Sequence, residues 1–145
     1  MNKFKFATPE ESPGYLLWRM STIWRSSIEK VLKPFNLTHP QFVILATTAW
    51  LTRDNEEISQ IDISNVAGLD PNTTSQILRG LETKSYIKRV RSVNERSKNP
   101  FLTDLGITIF DKALQAVENA DEFFFKALTS SELAALRKVF CKLIT

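Results

Sequence analysis

Cysteine and histidine are nearly absent from this sequence of 145 residues, and their scarcity excludes several kinds of chemistry. Cys141 is the only cysteine, so the chain has neither an internal disulfide nor a cysteine-based zinc site. His39 is the only histidine, which leaves little for metal ligation or for acid–base catalysis. The sequence also lacks a glycine-rich phosphate loop. We therefore expect no metal, no cofactor and no enzymatic activity.

Long hydrophobic runs are also lacking. No apolar stretch approaches the roughly 20 residues that a membrane-spanning helix needs, so no membrane partner is expected. Lys3 and Lys5 are followed by Pro9 and acidic residues rather than by an apolar segment, so no signal peptide is expected either. These features favour a cytoplasmic protein. With 43% hydrophobic residues, the chain can bury one core, which predicts a single domain over residues 1–145.

Positive charge is concentrated in one part of the chain, although the net charge is only +3. Residues 70–100 contain seven Lys and Arg against three Asp and Glu. The corresponding numbers are seven and seven for residues 1–69, and five and six for residues 101–145. The whole excess therefore falls in one short stretch, which is typical of a surface that binds a polyanion such as DNA.

Two short helical patterns lie in and just before that stretch. Ser59 precedes apolar residues at helical spacing and Gly68 follows them, which predicts a helix with an N-cap and a left-handed C-terminal residue. Asp70 and Pro71 then predict the start of a second helix. One face of the second helix carries short hydrogen-bonding side chains and one arginine, which suit the edges of base pairs. These residues are Asn72, Thr73, Ser75, Gln76 and Arg79.

A basic β-hairpin is predicted after the second helix. Residues 87–93 mix β-branched and basic side chains, residues 94–99 form a polar turn, and residues 101–103 return as a strand. Two helices followed by a hairpin are the plan of a winged helix, in which the second helix enters the major groove. An ordinary helical domain with a solvated hairpin is the alternative. The predicted hairpin carries five cations, Lys88, Arg89, Arg91, Arg96 and Lys98.

Long helical patterns flank the predicted winged helix-turn-helix core of residues 38–103. One runs over residues 13–36 and another covers residues 104–145. Both hold more apolar surface than a compact winged helix needs to cover. Because burial contributes about 25 cal/mol per Å², exposure of two such stripes is unfavourable. We therefore predict that both segments are dimerisation helices of a homodimer; burial within one chain is the alternative.

Several segments, taken in this order, resemble the MarR family of bacterial winged-helix regulators over about residues 18–144. Residues 37–45, LTHPQFVIL, resemble the family's L-T-x-x-Q-F-x-x-L at the start of its second helix. Residues 69–75, LDPNTTS, resemble L-D-P-S-T-V-S at the start of the recognition helix. Residues 81–89, LETKSYIKR, resemble L-E-x-K-G-L-I-x-R at its end. Each segment alone is a weak signal, but the ordered set is specific.

The predicted wing both follows and departs from the family pattern. Residues 94–96, NER, and residues 102–106, LTDLG, lie where the family has D-x-R and L-T-x-x-G. Ser85 replaces the usual glycine after the recognition helix, which makes a left-handed conformation there more costly. Asn94 replaces the wing aspartate, so a firmly held arginine at the wing tip is not expected. Pro100 cannot donate to a strand ladder, which predicts a short or edge strand.

The resemblance implies a mainly α protein with a small β-hairpin wing, that is, an α+β winged helix-turn-helix with N- and C-terminal dimerisation helices. It also implies a homodimeric transcription factor, usually a repressor, that binds double-stranded DNA at a pseudo-palindromic operator. By matching position, the resemblance implies that the polar face of the second helix contacts bases and phosphates, with Gln76 and Arg79 reading bases. It likewise implies that the hairpin cations contact phosphate or the minor groove; these are Lys88, Arg89, Arg91, Arg96 and Lys98. Family members often release DNA when a small aromatic or phenolic effector binds between the dimerisation helices and the winged helix. A winged helix used only for protein–protein assembly is the alternative function.

Aromatic walls with one nearby cation would suit such an effector. The residues of this candidate ligand pocket are Trp18, Arg19, Trp24 and Trp50. Packing in the core is the alternative role for each tryptophan and the one that we expect. His39 is expected near a helix start, with pH sensing or ligation as the alternative. Cys141 is expected to be a buried thiol of the dimer interface, with oxidant sensing as the alternative.

Overall fold

The computed structural model describes residues 3–91 and 98–145, with the side chains of residues 91 and 98 left aside. This part of the chain forms α-helices, one antiparallel hairpin and two single-turn 3-10 helices, at Pro9–Glu11 and Lys33–Phe35. The longer elements are α1 (Pro13–Leu32), α2 (His39–Leu51), α3 (Gln60–Ala67), α4 (Pro71–Thr83), β1 (Ile87–Arg91), β2 (Lys98–Leu102), α5 (Asp104–Phe125) and α6 (Ser130–Ile144). The predicted mainly α fold with a hairpin wing is confirmed.

Polar N-caps set where the α-helices begin. The side chain of each cap accepts a hydrogen bond from a backbone N–H of the first turn, which satisfies a donor that the helix itself leaves unpaired. Thr38 and Gln41 form a reciprocal capping box at α2. The caps of the six helices, in chain order, are Ser12, Thr38, Ser59, Asp70, Thr103 and Thr129.

The turn between α3 and α4 has the geometry of a helix-turn-helix. Gly68 ends α3 with φ 72° and donates its N–H to the carbonyl of Ser64 at 2.9 Å. Leu69 donates to the same carbonyl at 3.1 Å, which closes the last turn of α3. Asp70 and Pro71 then start α4 as predicted. This tight connection presents α4 outward while both helices pack on α2.

The core lies where the winged helix meets the first half of α5. Its buried side chains come from α1 to α5 and from β1, and α2 is in contact with α1, α3, α4, α5 and β2. Ile28 and Leu32 at the end of α1 and Ala113 and Val117 on α5 belong to this core. Helix α1 therefore meets the core through its C-terminal half, and α5 meets it through residues 109–120. Helix α6 has no buried side chain.

The hairpin differs in one respect from the prediction. Lys98 and Asn99, which the sequence places in the turn, belong to β2, whose Pro100 lies opposite Arg89 of β1. Since the sheet has two strands, both are edges, and the missing N–H of Pro100 is tolerated. Ser85 adopts the left-handed conformation at φ 65° despite its side chain. Asn94 lies outside the described residues.

Apolar side chains remain exposed along α1, α5 and α6. The pattern predicted for residues 13–36 is broken by the 3-10 turn, so α1 itself ends at Leu32. Leu17 on α1, Phe123 on α5, and Leu143 on α6 are all exposed in the single chain. Complete burial of these stripes within one chain, the alternative reading of the sequence, is thus wrong. Within residues 3–91 and 98–145, no helix combines the length and apolar character needed to cross a membrane.

Candidate nucleic-acid interface

Helix α4 is oriented by its cap and its apolar face. The two carboxylate oxygens of Asp70 accept hydrogen bonds from Thr73, at 2.6 Å from the hydroxyl and 2.9 Å from the backbone N–H. These bonds lower the pKa of Asp70, so its carboxylate stays ionised. The negative charge interacts favourably with the positive, N-terminal end of the helix dipole. Leu78 and Leu81 are fully buried on the inner face. The outer face of α4 is therefore left to polar side chains.

The five residues predicted to contact bases lie on this outer face. Asn72, Gln76 and Arg79 are exposed, while Thr73 and Ser75 are half-buried. Positions 72, 75, 76 and 79 follow the spacing of one helical face, so the structure brings them together. The Arg79 guanidinium donates to the Ser75 hydroxyl at 3.1 Å, which orients the arginine along the helix. This is a continuous row of donors and acceptors suited to base edges.

The hairpin cations are only partly described. Lys88 on β1 is exposed, next to the end of α4. Arg91 and Lys98 pair across the hairpin in the backbone register, at its distal end. Arg96 lies outside the described residues. The backbone thus places at least two further cationic residues beyond Lys88 along the wing.

Arg89 is the exception among the predicted DNA contacts. Its Nε donates to the Glu82 carboxylate at 2.7 Å, and its Nη1 donates to the side chain of Gln60. The side chain is only 19% exposed. The guanidinium therefore ties β1 to the end of α4 and the start of α3. These internal contacts argue against the predicted contact of Arg89 with phosphate or the minor groove.

Lys84 also lies in the basic stretch but has internal partners. Its Nζ donates to the carbonyl of Asn36 at 2.7 Å and to the side-chain oxygen of Gln41 at 2.8 Å. Four cations of residues 70–100 have described side chains, and two of them, Lys84 and Arg89, are used inside the domain. The local charge count therefore overstates the cation density that this surface offers to DNA.

Comparison with known proteins agrees with this geometry. A sequence profile of the SarA/Rot transcriptional regulators matches residues 26–98. The HTH-type transcriptional regulator YdcH of Bacillus subtilis is 34% identical over 136 residues, covering 88% of each chain. The repressor Rv2887 of Mycobacterium tuberculosis is 28% identical over 131 residues, covering 90% of this chain and 91% of its own.

Solved structures identify the same fold. Rv2887, described as a MarR family protein, has been solved with DNA; at 25% identity, that structure aligns with a TM-score of 0.69 over 92% of this chain and 98% of its own. This chain belongs to the MarR family. CouR of Rhodococcus jostii, solved with p-coumaroyl-CoA, gives a TM-score of 0.84 at 20% identity, covering 95% of both chains. That likeness shows the fold alone.

The four residues of the candidate ligand pocket differ in burial in this MarR chain. Trp18 is 71% exposed and Trp50 is 61% exposed, so the expectation that these two pack in the core is wrong for the single chain. The Arg53 guanidinium lies over the Trp50 ring at 3.9 Å from its centroid. Arg19 is exposed on α1. Only Trp24 packs against the core.

Trp24 lies where α1, α2 and α5 of the MarR fold meet. Its indole Nε1 donates to the Asp121 carboxylate on α5 at 2.8 Å, and its ring meets that of His39 edge to face at 5.0 Å. His39 is the first residue of α2, as predicted, but is buried, which the sequence did not indicate. Burial lowers the pKa of His39 and Arg25 lowers it further, against the opposing effect of Glu29 and Asp121.

Apolar clefts lie beside the long helices. One cleft, of about 530 Å³, is lined by the N-terminal segment and by Tyr15. A second, of about 410 Å³, runs between α1 and α5 and includes Val31 and Phe124. A third, of about 380 Å³, lies between α5 and α6. Cys141 is exposed on α6 in the single chain, and its burial in a dimer interface stays a prediction.

Proposed function

We propose that this protein is a sequence-specific DNA-binding transcriptional regulator, of the repressor type, that acts in the cytoplasm as a homodimer and catalyses no reaction. The outer face of α4 carries the proposal. It combines exposed hydrogen-bonding side chains with one arginine, and no aliphatic residue covers them. The DNA complex of Rv2887 supports the proposal, because that repressor shares this fold and 28% of the aligned residues.

We assign base reading to the two exposed, longer side chains on the outer face of α4. Arg79 presents a fork that matches guanine O6 and N7, and Gln76 presents an amide that matches adenine N6 and N7. The neighbouring Asn72, Thr73 and Ser75 would add contacts to bases or to the flanking phosphates. On the wing, the proposed phosphate or minor-groove contacts are Lys88, Arg91, Arg96 and Lys98. Arg89 is removed from this set because its guanidinium is paired inside the domain.

The homodimer would join the outer parts of α1, α5 and α6. We propose residues 13–36 and 104–145 as the dimerisation segments and residues 38–103 as the DNA-binding core of a single domain, 1–145. The exposed apolar side chains of these helices support this division, since the core of the winged helix does not cover them. Two recognition helices would then enter successive major grooves of a pseudo-palindromic operator.

A small aromatic or phenolic effector is proposed at the junction of the dimerisation helices and the winged helix. Rv2887 has been solved with salicylic acid, at 28% identity and a TM-score of 0.67. Among the four candidate pocket residues, Trp24 lies at the corresponding junction here, between His39 and Asp121. Trp18, Arg19 and Trp50 would reach the effector only if the partner subunit or a local rearrangement brought them closer.

The test is selection of binding sites from a randomised DNA duplex pool, followed by affinity measurements at two salt concentrations. Enrichment of an inverted repeat, with half-site centres about one helical turn apart and weaker binding at higher salt, is expected. Arg79→Ala should relax selectivity at one base position per half-site, at a cost of about 1 to 3 kcal/mol. A folded dimer that enriches no sequence would contradict the proposal and favour a protein-assembly role.

A further inference from the structure

The turn that follows the recognition helix α4 contacts the segment between α1 and α2 and the residue that caps α5. This turn consists of residues 84–86, between the end of α4 and β1. On one side it reaches the corner between α1 and α2, and on the other it reaches the start of α5. We call residues 84–86 the exit turn. The exit turn bonds to residues 51 and 18 positions away in sequence, so these contacts do more than connect α4 to β1.

At the α1–α2 corner, two side chains of the exit turn bind backbone carbonyls. The Tyr86 hydroxyl donates to the carbonyl of Phe35 at 3.0 Å, and Lys84 Nζ donates to the next carbonyl, that of Asn36, at 2.7 Å. Lys84 also donates to Gln41, whose side chain caps α2. Asn36 has φ 53°, a left-handed conformation that turns the chain sharply at this corner. The corner and the recognition helix are therefore bonded directly.

At the start of α5, the backbone of the exit turn accepts the bonds. The Thr103 hydroxyl donates to the Ser85 carbonyl at 2.6 Å, and the Thr103 N–H donates to the Tyr86 carbonyl at 3.1 Å. Gly106 lies so close that a Cβ built there would approach the Tyr86 carbonyl oxygen at 1.9 Å. Thr103 is itself the N-cap of α5. Helix α5 thus begins in direct contact with the end of the recognition helix.

We propose that Lys84 and Tyr86 are positioning residues that fix the orientation of α4 relative to the α1–α2 corner, and thereby the separation of the two recognition helices in the dimer. This inference rests on the proposed function. A change in the angle between α4 and the long helices would break the bonds to Phe35 and Asn36 together. Because each helix must meet its own major groove, a fixed angle makes the protein selective for one half-site spacing.

The chemistry of these bonds supports a positioning role rather than a general packing role. The charged Nζ of Lys84 donates to a backbone carbonyl and to an amide oxygen rather than to a carboxylate. Such charge-assisted hydrogen bonds are short and directional. Tyr86 is buried, and its hydroxyl finds its acceptor across the corner, 51 residues away in sequence. Both side chains are therefore engaged in contacts within the protein.

The experiment uses the full chain and the operator found by selection, rebuilt with its half-sites moved by one and two base pairs in either direction. Affinities for each spacing are measured for the wild type, Lys84→Met, Tyr86→Phe and the double variant. Lys3→Met and Lys5→Met, at exposed lysines of the N-terminal segment outside the proposed dimerisation segments, are the controls. Thermal unfolding verifies that each variant is folded.

The expected result is a loss of spacing selectivity. In the double variant, the ratio of affinities for the best and the shifted operators should fall by about two- to thirtyfold, the range of coupling changes found for residues between sites. Lys84→Arg should restore part of the ratio, because it keeps a charged donor. A variant that only lost stability would weaken binding to every operator by the same factor and leave the ratio unchanged.

An unchanged ratio in the double variant, with spacing selectivity intact in the wild type, would overturn the inference and leave the proposed function standing. A wild-type protein that binds all spacings equally would also overturn it, since there would be no selectivity to fix. A folded wild-type dimer without any operator would contradict the proposed function itself, and the positioning role would be rejected with it. Equal effects in the control variants would likewise count against Lys84 and Tyr86.

Discussion

Lys88 and Arg89 are neighbours on β1 and both are cations, yet their surroundings differ. Lys88 is exposed, whereas Arg89 is held by Glu82 at 2.7 Å and by Gln60. The sequence shows only that both residues are basic. The partners of Arg89 lie 7 and 29 residues away along the chain, too far for any local pattern to pair them. The two residues should therefore respond in opposite ways to neutral substitution.

Arg89→Gln is expected to lower the free energy of unfolding by about 1 to 3 kcal/mol, because it leaves a partly buried carboxylate without its donor. The salt dependence of DNA binding should keep its wild-type slope. Lys88→Gln should instead leave stability within about 0.5 kcal/mol and reduce the slope by about one unit. Urea unfolding and salt titration of DNA affinity measure both effects.

A double-mutant cycle with Glu82→Gln separates the pair from other effects. We expect residues 82 and 89 to be coupled by about 0.5 to 3 kcal/mol, as contacting residues are. If Arg89→Gln reduced the salt slope as Lys88→Gln does, and if the cycle showed no coupling, the phosphate contact would be restored to Arg89.

His39 gives the molecule one titrating group near neutral pH. It is 8% exposed, faces Arg25, Glu29 and Asp121, and its pKa is lowered, chiefly by burial. The unfolded chain then binds a proton at a higher pH than the folded chain, so stability is full above the unfolded pKa of about 6.5 and falls as the pH is lowered from there towards the folded pKa.

His39→Gln should remove most of this acid-induced loss, because no other histidine titrates in the same window. Equilibrium unfolding at pH 7.5, 6.5 and 5.5 compares the slopes of stability against pH for both proteins. The variant is expected to be less stable than the wild type at pH 7.5, but its stability should change less between pH 7.5 and 5.5. Identical slopes would show that His39 does not titrate differently in the two states.

At the scale of elements, the sequence predicted the starts of helices and the tight turns well. Caps such as Ser59 and Thr38, and the left-handed Gly68, depend on residues within four positions of each other. The contacts that orient whole elements were not predictable in this way. The exit turn meets Phe35 and Thr103 across 51 and 18 residues, and no periodicity encodes such pairings.

Gly106 shows how closely two elements approach. A Cβ at this position would lie 1.9 Å from the Tyr86 carbonyl oxygen and 2.9 Å from its carbon, both backbone atoms that cannot turn aside. Gly106→Ala must therefore push α5 away from the exit turn. We expect a loss of about 3 kcal/mol in unfolding free energy, at the upper end of the range for overpacking, together with weaker DNA binding.

Gly80→Ala is the matched control, since Gly80 also lies within a helix. Its Cβ would meet only the end of the Gln41 side chain, at 3.4 Å. Here the gain in helix propensity, about 1 kcal/mol at most, should balance or exceed the contact. Urea unfolding of both variants measures the contrast; equal stability would mean that α5 and the exit turn are not in tight contact in solution.

For the molecule as a whole, most of the buried apolar side chains belong to the winged helix, whereas many apolar side chains of the long helices are exposed. Leu143 is 74% exposed and Val139 is 51% exposed, and α6 has no buried side chain of its own. Trp18 adds a large exposed ring on α1. The helical patterns of the two flanking segments predicted this excess of apolar surface. The sequence placed Trp18 in the core, however, because the pattern could not show which face of α1 meets α5.

Two charged substitutions on α6 test whether its exposed apolar surface forms the dimer interface. Val139→Asp with Leu143→Asp would bury two carboxylates in the proposed interface, a cost that the monomer avoids. Sedimentation equilibrium should show monomers, while Ile61→Asp, at an equally exposed apolar residue of α3, should leave the dimer intact. The monomer should lose the affinity gained by linking two half-sites, about 10² to 10⁴ on the full operator, and keep its weak affinity for a single half-site. A dimer that survives the double substitution would place the interface elsewhere on α1 or α5.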